Sequence, residues 1–141
     1  MTVFADSSAV VKIYADEVAS SKVRSLAAMY IADTTRVEVP AALWRKTRMG
    51  ELDRWAGARL VQWFEDDVDL ATGSLVPIEI DRETLTRAAH LTETHALRAY
   101  DAVQLAAALR VVDIDPTCTT FATFDGELRT AAVREGFEPL V

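Results

Sequence analysis

The sequence has little of three things: cysteine, long apolar runs and positive charge. Its single cysteine, Cys118, excludes an intramolecular disulfide and is typical of a reducing compartment. No apolar run reaches the roughly 18 residues that a membrane helix needs. The first residues also lack the basic start and long apolar segment of a signal peptide. We therefore expect a soluble, cytoplasmic protein.

Basic residues are fewer than acidic ones: the chain has 15 lysines and arginines and 22 aspartates and glutamates, which gives a net charge of -7. This shortage argues against a protein that binds nucleic acid over a broad basic surface, since phosphate neutralisation supplies most non-specific affinity. It does not exclude an enzyme whose carboxylates bind metal ions that in turn bind phosphates. The positions of the acids therefore matter more than their number.

Histidine is also scarce. His90 and His95 are five residues apart, so they point to different sides of a helix and make a poor pair of metal ligands. We expect a structural or exposed role for both, and a buried strand position for Cys118.

Length and composition indicate one globular domain over residues 1–141. Hydrophobic residues make up 50% of the chain and charged residues 26%, which is enough apolar material for a core. The chain contains no linker-like stretch, repeat or low-complexity segment.

Short apolar strands alternate with helical segments, which predicts a mainly parallel sheet covered by helices on both sides. In the third helix Thr34 and Thr35 are expected as caps, Pro40 near the first turn and Gly50 at the end. Pro77 indicates an edge strand. The predicted strands are 2–5, 30–32, 74–80, 118–123 and 137–141, and the predicted helices are 9–14, 18–29, 36–49, 51–67, a stretch from 82, 96–112 and 126–135.

Four acids stand out because apolar residues flank them: Asp6, Glu38, Asp101 and Asp125. An ionised carboxylate in such a setting is costly unless a positive group compensates it. Asp6 and Asp125 each follow a predicted strand and begin a helix, and the carboxyl ends of parallel strands line the ligand crevice of open sheets. Glu38 lies in the first turn of its helix, at the positive end of the dipole. Asp101 lies at the edge of the apolar face of its helix.

Several carboxylates that converge on one place would repel and raise one another's pKa values unless a cation joined them. Oxygen ligands suit Mg²⁺ or Mn²⁺. Such a site can orient water for in-line attack on phosphorus and stabilise the leaving oxygen. The same four acids are therefore the predicted metal ligands and catalytic residues, and neither cysteine nor histidine is needed.

Each acid lies in a distinctive sequence context. The contexts are Val-Phe-Ala-Asp-Ser-Ser-Ala at Asp6, Val-Glu-Val-Pro-Ala-Ala-Leu-Trp-Arg at Glu38, Leu-Arg-Ala-Tyr-Asp-Ala-Val-Gln-Leu-Ala-Ala-Ala at Asp101 and Phe-Ala-Thr-Phe-Asp-Gly-Glu-Leu-Arg-Thr-Ala-Ala at Asp125. In order and spacing, over essentially the whole chain, they resemble the motifs of PIN-domain ribonucleases of the VapC toxin type.

This resemblance implies a three-layer α/β/α sandwich and Mg²⁺- or Mn²⁺-dependent hydrolysis of RNA phosphodiester bonds. We expect Asp6, Asp101 and Asp125 to bind the metal, and Glu38 to bind it or to orient the attacking water. The resemblance further implies a toxin that is neutralised by a separate VapB-like antitoxin and that forms a homodimer.

Some members of the family have a further polar or acidic ligand near the fourth acid. Here Thr123, Glu127 or neither takes that place, and Ser7 is a plausible polar helper beside Asp6.

Basic and aromatic residues have two interpretations each. Arg45, Lys46 and Arg48 follow the second acid on its helix and either contact RNA phosphates or form a solvated face. Arg98, one turn before the third acid, pairs with a carboxylate or with a phosphate. Aromatic residues at helical spacing belong to the core or to an interface, and exposure would favour antitoxin or dimer binding; they are Trp44, Trp55, Trp63 and Phe64.

Three other functions are alternatives for a chain with acids at strand ends. A phosphatase of the haloacid-dehalogenase type would need a second aspartate two residues after Asp6, where this chain has Ser8. A receiver domain would need a phosphorylated aspartate after a middle strand and a lysine after a late one, which the chain does not supply. A catalytically inactive PIN-like binding module is the main alternative, and the presence of all four acids argues against it.

Overall fold

The computed structural model describes residues 2–26, 28–68 and 73–141. Within these ranges five strands alternate with seven helices. The strands are β1 (Thr2–Ala5), β2 (Met29–Ala32), β3 (Leu75–Ile78), β4 (Cys118–Ala122) and β5 (Glu138–Pro139), and the helices are α1 (Ser7–Tyr14), α2 (Ser20–Arg24), α3 (Thr35–Arg48), α4 (Arg54–Asp67), α5 (Arg82–His95), α6 (Ala99–Ile114) and α7 (Gly126–Arg134). In these ranges, none of the helices has the length and apolar character needed to cross a membrane.

The strands form one sheet in the order β3-β2-β1-β4-β5, and each neighbouring pair is parallel. This confirms the predicted α/β fold with a mainly parallel sheet. β3, which contains Pro77, lies at an edge as predicted, where a residue without an N–H is tolerated. The strand order reverses at β1, and ligands of such sheets bind beyond the carboxyl ends of the strands at this point.

Side chains alternate across the sheet and fill two cores. Val3 and Ala5 of β1 pack on one side with residues of α1, α3 and α4, whereas Phe4 packs on the other side with residues of α5, α6 and α7. Phe121 of β4 joins Phe4, with their ring centroids 5.3 Å apart. The predicted three layers are thus built from a sheet with one apolar core on each face.

Several predicted boundaries were wrong for local reasons. α2 is much shorter than the predicted 18–29, because Ala19 at φ 67 starts it abruptly and the chain must enter β2 at Met29; Ala27 lies outside the described residues. α4 starts only after Asp53, whose side chain caps it. α6 starts at Ala99 rather than at 96, because Ala96 at φ 53 ends α5.

The start of α3 also differs from the prediction. Thr34 is the residue before the helix, but its side chain makes no capping hydrogen bond. Pro40 lies inside the helix, beyond its first turn, so the carbonyl of Arg36 receives no N–H from that position. Gly50, at φ 78, follows the end of the helix as predicted.

Candidate active site

Asp6 directly follows β1 and is the N-cap of α1, with only 4% of its surface exposed. Its Oδ1 accepts hydrogen bonds from the Ala9 N–H at 3.0 Å and from the Ser8 hydroxyl at 2.7 Å. Its Oδ2 accepts one from the Thr123 hydroxyl at 2.6 Å. The helix start that the sequence predicted therefore holds this carboxylate in a fixed place at the carboxyl edge of the sheet.

Burial is the largest influence on this carboxyl and raises the pKa of Asp6 from 3.8 to about 6. The hydrogen bonds from Thr123, Ser8 and Ala9 act in the opposite direction, while the negative charge of Asp101 adds to the rise. The ionised form of Asp6 is therefore disfavoured by its surroundings, and a nearby cation would stabilise it.

Glu38 lies in the first turn of α3. Its Oε2 accepts a hydrogen bond from the Ser7 hydroxyl at 2.9 Å, and its Oε1 accepts one from the Gln104 amide at 3.0 Å. The same amide nitrogen donates to the Thr35 hydroxyl at 3.0 Å. Glu38 is thus oriented by donors from α1 and α6, which fixes both carboxylate oxygens.

Asp101 and Asp125 face each other across one guanidinium. Asp125 caps α7, and its Oδ1 accepts from the Leu128 N–H at 2.9 Å. Nη2 of Arg98 lies 3.3 Å from Oδ2 of Asp101 and 3.3 Å from Oδ2 of Asp125. Burial first, then the charges of Asp125 and Glu38, raise the pKa of Asp101, while Arg98 lowers it.

All four predicted acids therefore lie near one another at the carboxyl edge of the sheet, close enough for their charges to interact. In the described ranges, no three histidine, cysteine or acidic side chains stand close enough together to hold an ion as they are oriented. Both oxygens of Asp6 instead accept hydrogen bonds from hydroxyl groups and a backbone N–H.

The donor set nevertheless fits a hard divalent cation in its chemistry. Its ligands are all oxygen atoms, which Mg²⁺ and Mn²⁺ prefer. Oδ2 of Asp101 and Oδ2 of Asp125 already converge on one cationic nitrogen atom. The remaining acids, Asp6 and Glu38, would complete an all-carboxylate set.

The residues predicted to assist the four acids differ in whether they contact them. Thr123 is buried and bonded to Asp6, whereas Glu127 is exposed on the first turn of α7. Ser7, expected beside Asp6, donates to Glu38 instead, and Ser8 takes the place beside Asp6.

Gln104 was not predicted as a site residue, although its position in the sequence indicates such a role. It is the one polar residue in the run 102–109, and it follows Asp101 by three residues, which places both on one face of a helix.

Other predicted groups lie elsewhere. Lys46 pairs with Glu17 at 2.6 Å and with Glu51 at 3.2 Å, while Arg45 and Arg48 are exposed. Phe64 and Cys118 are buried as expected for core residues, and the side chain of His95 is buried beside that of Glu135. Trp44, Trp55 and Trp63 are exposed to differing degrees.

The sequence profile of the PIN domain family matches residues 3–133, a range that includes all four acids. This chain belongs to the PIN domain family. PIN domains are typically nucleases, and those nucleases generally use divalent metals. The family predicted from the four motifs is thereby confirmed.

Solved structures of other proteins share the fold of this PIN domain. PAE2754 from Pyrobaculum aerophilum is 20% identical, with a TM-score of 0.67 over 99% of this chain and 84% of that one. VapC20 of Mycobacterium tuberculosis, described as a sarcin-ricin loop cleaving toxin, is 12% identical, with a TM-score of 0.63 over 92% of this chain and 94% of that one. A search of curated proteins found no match.

Proposed function

We propose that this PIN domain is a Mg²⁺- or Mn²⁺-dependent endoribonuclease and the toxin of a VapBC-type toxin–antitoxin pair. The observation that supports this best is that Asp6, Glu38, Asp101 and Asp125 lie near one another at the carboxyl edge of the sheet, next to the strand-order reversal, in a member of the PIN domain family. The shared fold with VapC20, described as a sarcin-ricin loop cleaving toxin, is consistent with it.

The proposed roles follow from the hydrogen bonds of each acid. Asp6, Asp101 and Asp125 would hold the divalent ion, which when bound supplies charge stabilisation to the phosphate and to the leaving oxygen. Glu38 would bind the ion or orient the attacking water. Its two oxygens are fixed by donors from Ser7 and from α6, so it needs little reorganisation to do so.

A cleft of about 460 Å³ adjoins these acids through Ser8 and offers a path for the RNA strand. Its lining includes Lys12, Arg45 and Phe124. The ammonium of Lys12 lies 4.5 Å from the centre of the Phe124 ring. The Lys12 ammonium is already paired with Glu17 at 3.1 Å. We therefore propose that an RNA phosphate binds the exposed Arg45 and that a base stacks near the Phe124 ring, since single strands combine both contacts.

Exposed apolar side chains support the proposed protein partners. Trp55 is 82% exposed and Trp63 52% exposed, both on α4. Trp63 also lines a cleft of about 750 Å³ together with Tyr14 and Leu60. Large exposed apolar groups favour a protein interface, so we propose that a VapB-like antitoxin or a second copy of this chain covers this face of the cytoplasmic protein.

The deciding experiment is RNA cleavage by the purified protein, with total cellular RNA as the substrate. We expect cleavage with Mg²⁺ or Mn²⁺ and none in EDTA, and restoration when the metal is added back. Asp6→Asn and Asp101→Asn should each retain less than about 1% of the activity. Mutating even a residue that only hydrogen-bonds to a metal ligand lowers metal affinity or activity about 10- to 100-fold. Asp53→Asn is the matched control, since Asp53 caps α4 in the same way as Asp6 caps α1.

Two results would contradict different parts of the proposal. Cleavage that persists in EDTA would refute the metal mechanism, and full activity of a folded Asp101→Asn protein would refute the residue assignment. If the wild-type protein neither cleaves RNA nor binds Mn²⁺, the inactive binding module is the better description. Sequencing RNA ends from cells that express the protein, with Asp6→Asn as the control, would identify the RNA.

A further inference from the structure

Arg98 is a cation placed among the acids that are proposed to bind a metal ion. Its Nη2 atom lies 3.3 Å from one oxygen of Asp101 and 3.3 Å from one oxygen of Asp125. Its Nε atom lies 3.3 Å from the same oxygen of Asp101. A guanidinium therefore marks the point on which these two carboxylates converge.

The guanidinium lies on the solvent side of this pair. The side chain of Arg98 is 76% exposed, compared with 19% for Asp101 and 30% for Asp125. Its backbone is the N-cap of α6, but its side chain makes no capping hydrogen bond. Exposed ion pairs are weak, about 0.2–1 kcal/mol each, so little holds Arg98 to the carboxylates when a stronger cation competes.

Displacement by a divalent ion would leave the guanidinium beside the site and without its partners. A guanidinium binds phosphate oxygens with two parallel hydrogen bonds, which an ammonium does not reproduce. The chain has a net charge of -7, so a cation at the edge of the acidic site is one of few groups there suited to an RNA phosphate.

We propose that Arg98 binds in two alternative places: to Asp101 and Asp125 in the ion-free protein, and to a phosphate of the RNA strand when a divalent ion occupies the carboxylates. This inference rests on the proposed ribonuclease function and adds to it a coupling, in which metal binding prepares the protein for RNA. It also gives Arg98 opposite effects on the two ligands, because it competes with the metal and attracts the RNA.

The first measurement is Mn²⁺ affinity by calorimetry without RNA. Arg98→Ala should bind Mn²⁺ about two- to fivefold more tightly than the wild type, which corresponds to the loss of an exposed ion pair. Arg98→Lys should be closer to the wild type, because it keeps the positive charge. Arg54→Ala, which removes an exposed arginine at the start of α4, is the matched control and should leave Mn²⁺ affinity unchanged.

The second measurement is RNA affinity, taken by fluorescence anisotropy with a labelled phosphorothioate 12-nucleotide RNA in Mn²⁺. Arg98→Ala should bind this RNA more weakly, and the slope of log affinity against log salt should become shallower by about 0.7, as expected for one lost phosphate contact on a single strand. The gain in RNA affinity on adding Mn²⁺ should also be smaller in Arg98→Ala than in the wild type.

The opposite effects of Arg98→Ala on Mn²⁺ affinity and on RNA affinity distinguish this role from a structural one. If Arg98→Ala weakens both Mn²⁺ and RNA binding, or changes neither, the two-position role is wrong even if the wild type cleaves RNA in a metal-dependent way. If the wild type binds no Mn²⁺ at all, the proposed function and this inference fail together. Tighter Mn²⁺ binding with weaker RNA binding supports the inference whether or not the natural RNA is known.

Discussion

Replacing the Asp6 carboxyl by an amide should make the ion-free protein more stable, although it should abolish cleavage. The carboxyl group is almost fully buried, and burial raises its pKa from 3.8 to about 6. In Asp6→Asn the remaining carbonyl can still accept from the Ser8 hydroxyl and the Ala9 N–H. The new amide nitrogen would donate to the Thr123 hydroxyl, which reverses one hydrogen bond without removing it.

The magnitude follows from the pKa. Below about pH 3.8 the carboxyl is protonated in both the folded and the unfolded chain, so it costs nothing. As the pH rises to about 6, the unfolded chain has lost the proton that the folded protein still holds, and stability falls. Above this range the ionised Asp6 lowers the free energy of unfolding by about 3 kcal/mol, at roughly 1.4 kcal/mol per pKa unit. Asp6→Asn removes this penalty.

Urea unfolding in EDTA, followed by circular dichroism, measures the difference. At pH 7.5 we expect Asp6→Asn to be more stable than the wild type by about 2–3 kcal/mol, and at pH 4.5 by about 1 kcal/mol or less. Mg²⁺ at about 100 times its dissociation constant should then stabilise the wild type by about 2.7 kcal/mol, and should stabilise the variant much less. Asp53→Asn should change stability by less than about 0.5 kcal/mol, because aspartate and asparagine cap helices equally well.

If Asp6→Asn raises the free energy of unfolding equally at both pH values, the charge of Asp6 is not the source of the added stability. A loss of stability at pH 7.5 would show that the hydrogen bonds to the carboxylate outweigh its burial, and would refute this account of the site.

Three further predictions concern the scaffold. A Cβ added to Gly57 would lie 2.3 Å from the Thr47 hydroxyl oxygen, so Gly57→Ala should lower the free energy of unfolding even though alanine is better than glycine in a helix by about 1 kcal/mol. In a Thr47→Ala background the same substitution should raise the free energy of unfolding. Equal effects in the two backgrounds would refute the contact. Phe64→Ala should destabilise by about 3–5 kcal/mol in urea unfolding, because the ring is fully buried, and a loss below about 1 kcal/mol would contradict this packing. Burial raises the pKa of the Cys118 thiol to about 11, so Ellman's reagent at pH 8 should react with it only on unfolding, and rapid reaction with the folded protein would place it at the surface.

Local sequence rules predicted the positions of the helix-capping acids well. Asp6 and Asp125 were each expected at the start of a helix, and each accepts a hydrogen bond from the backbone N–H three residues later, as does Asp81 at the start of α5. This rule is local, since a strand end followed by a short acidic side chain is sufficient to define it. Two of these caps also lie in the candidate site, which is why its position could be predicted from the sequence.

The contacts that orient the site could not be predicted in this way. The amide of Gln104 reaches Glu38 across 66 positions of sequence, and the hydroxyl of Thr123 reaches Asp6 across 117. These partners are brought together by the parallel strand order and not by spacing along the chain. The short α2 was not predicted for a related reason, because the left-handed Ala19 before its start has no signal in composition or periodicity.

The four acids are stabilised in two different ways, and this difference bears on how an ion would enter. Asp6 and Glu38 are held by neutral hydroxyl and amide donors, which compensate part of the cost of a buried charge but leave it negative. Asp101 and Asp125 share the exposed guanidinium of Arg98, which neutralises them in part and can leave. A divalent ion would therefore meet Asp101 and Asp125 first, at the solvent side, and would gain most from the deeper Asp6 carboxylate, whose charge has no cationic partner among the residues that bond it. That order makes metal affinity depend on Asp6 and metal access depend on Arg98, so Asp6→Asn should weaken Mn²⁺ binding while Arg98→Ala strengthens it.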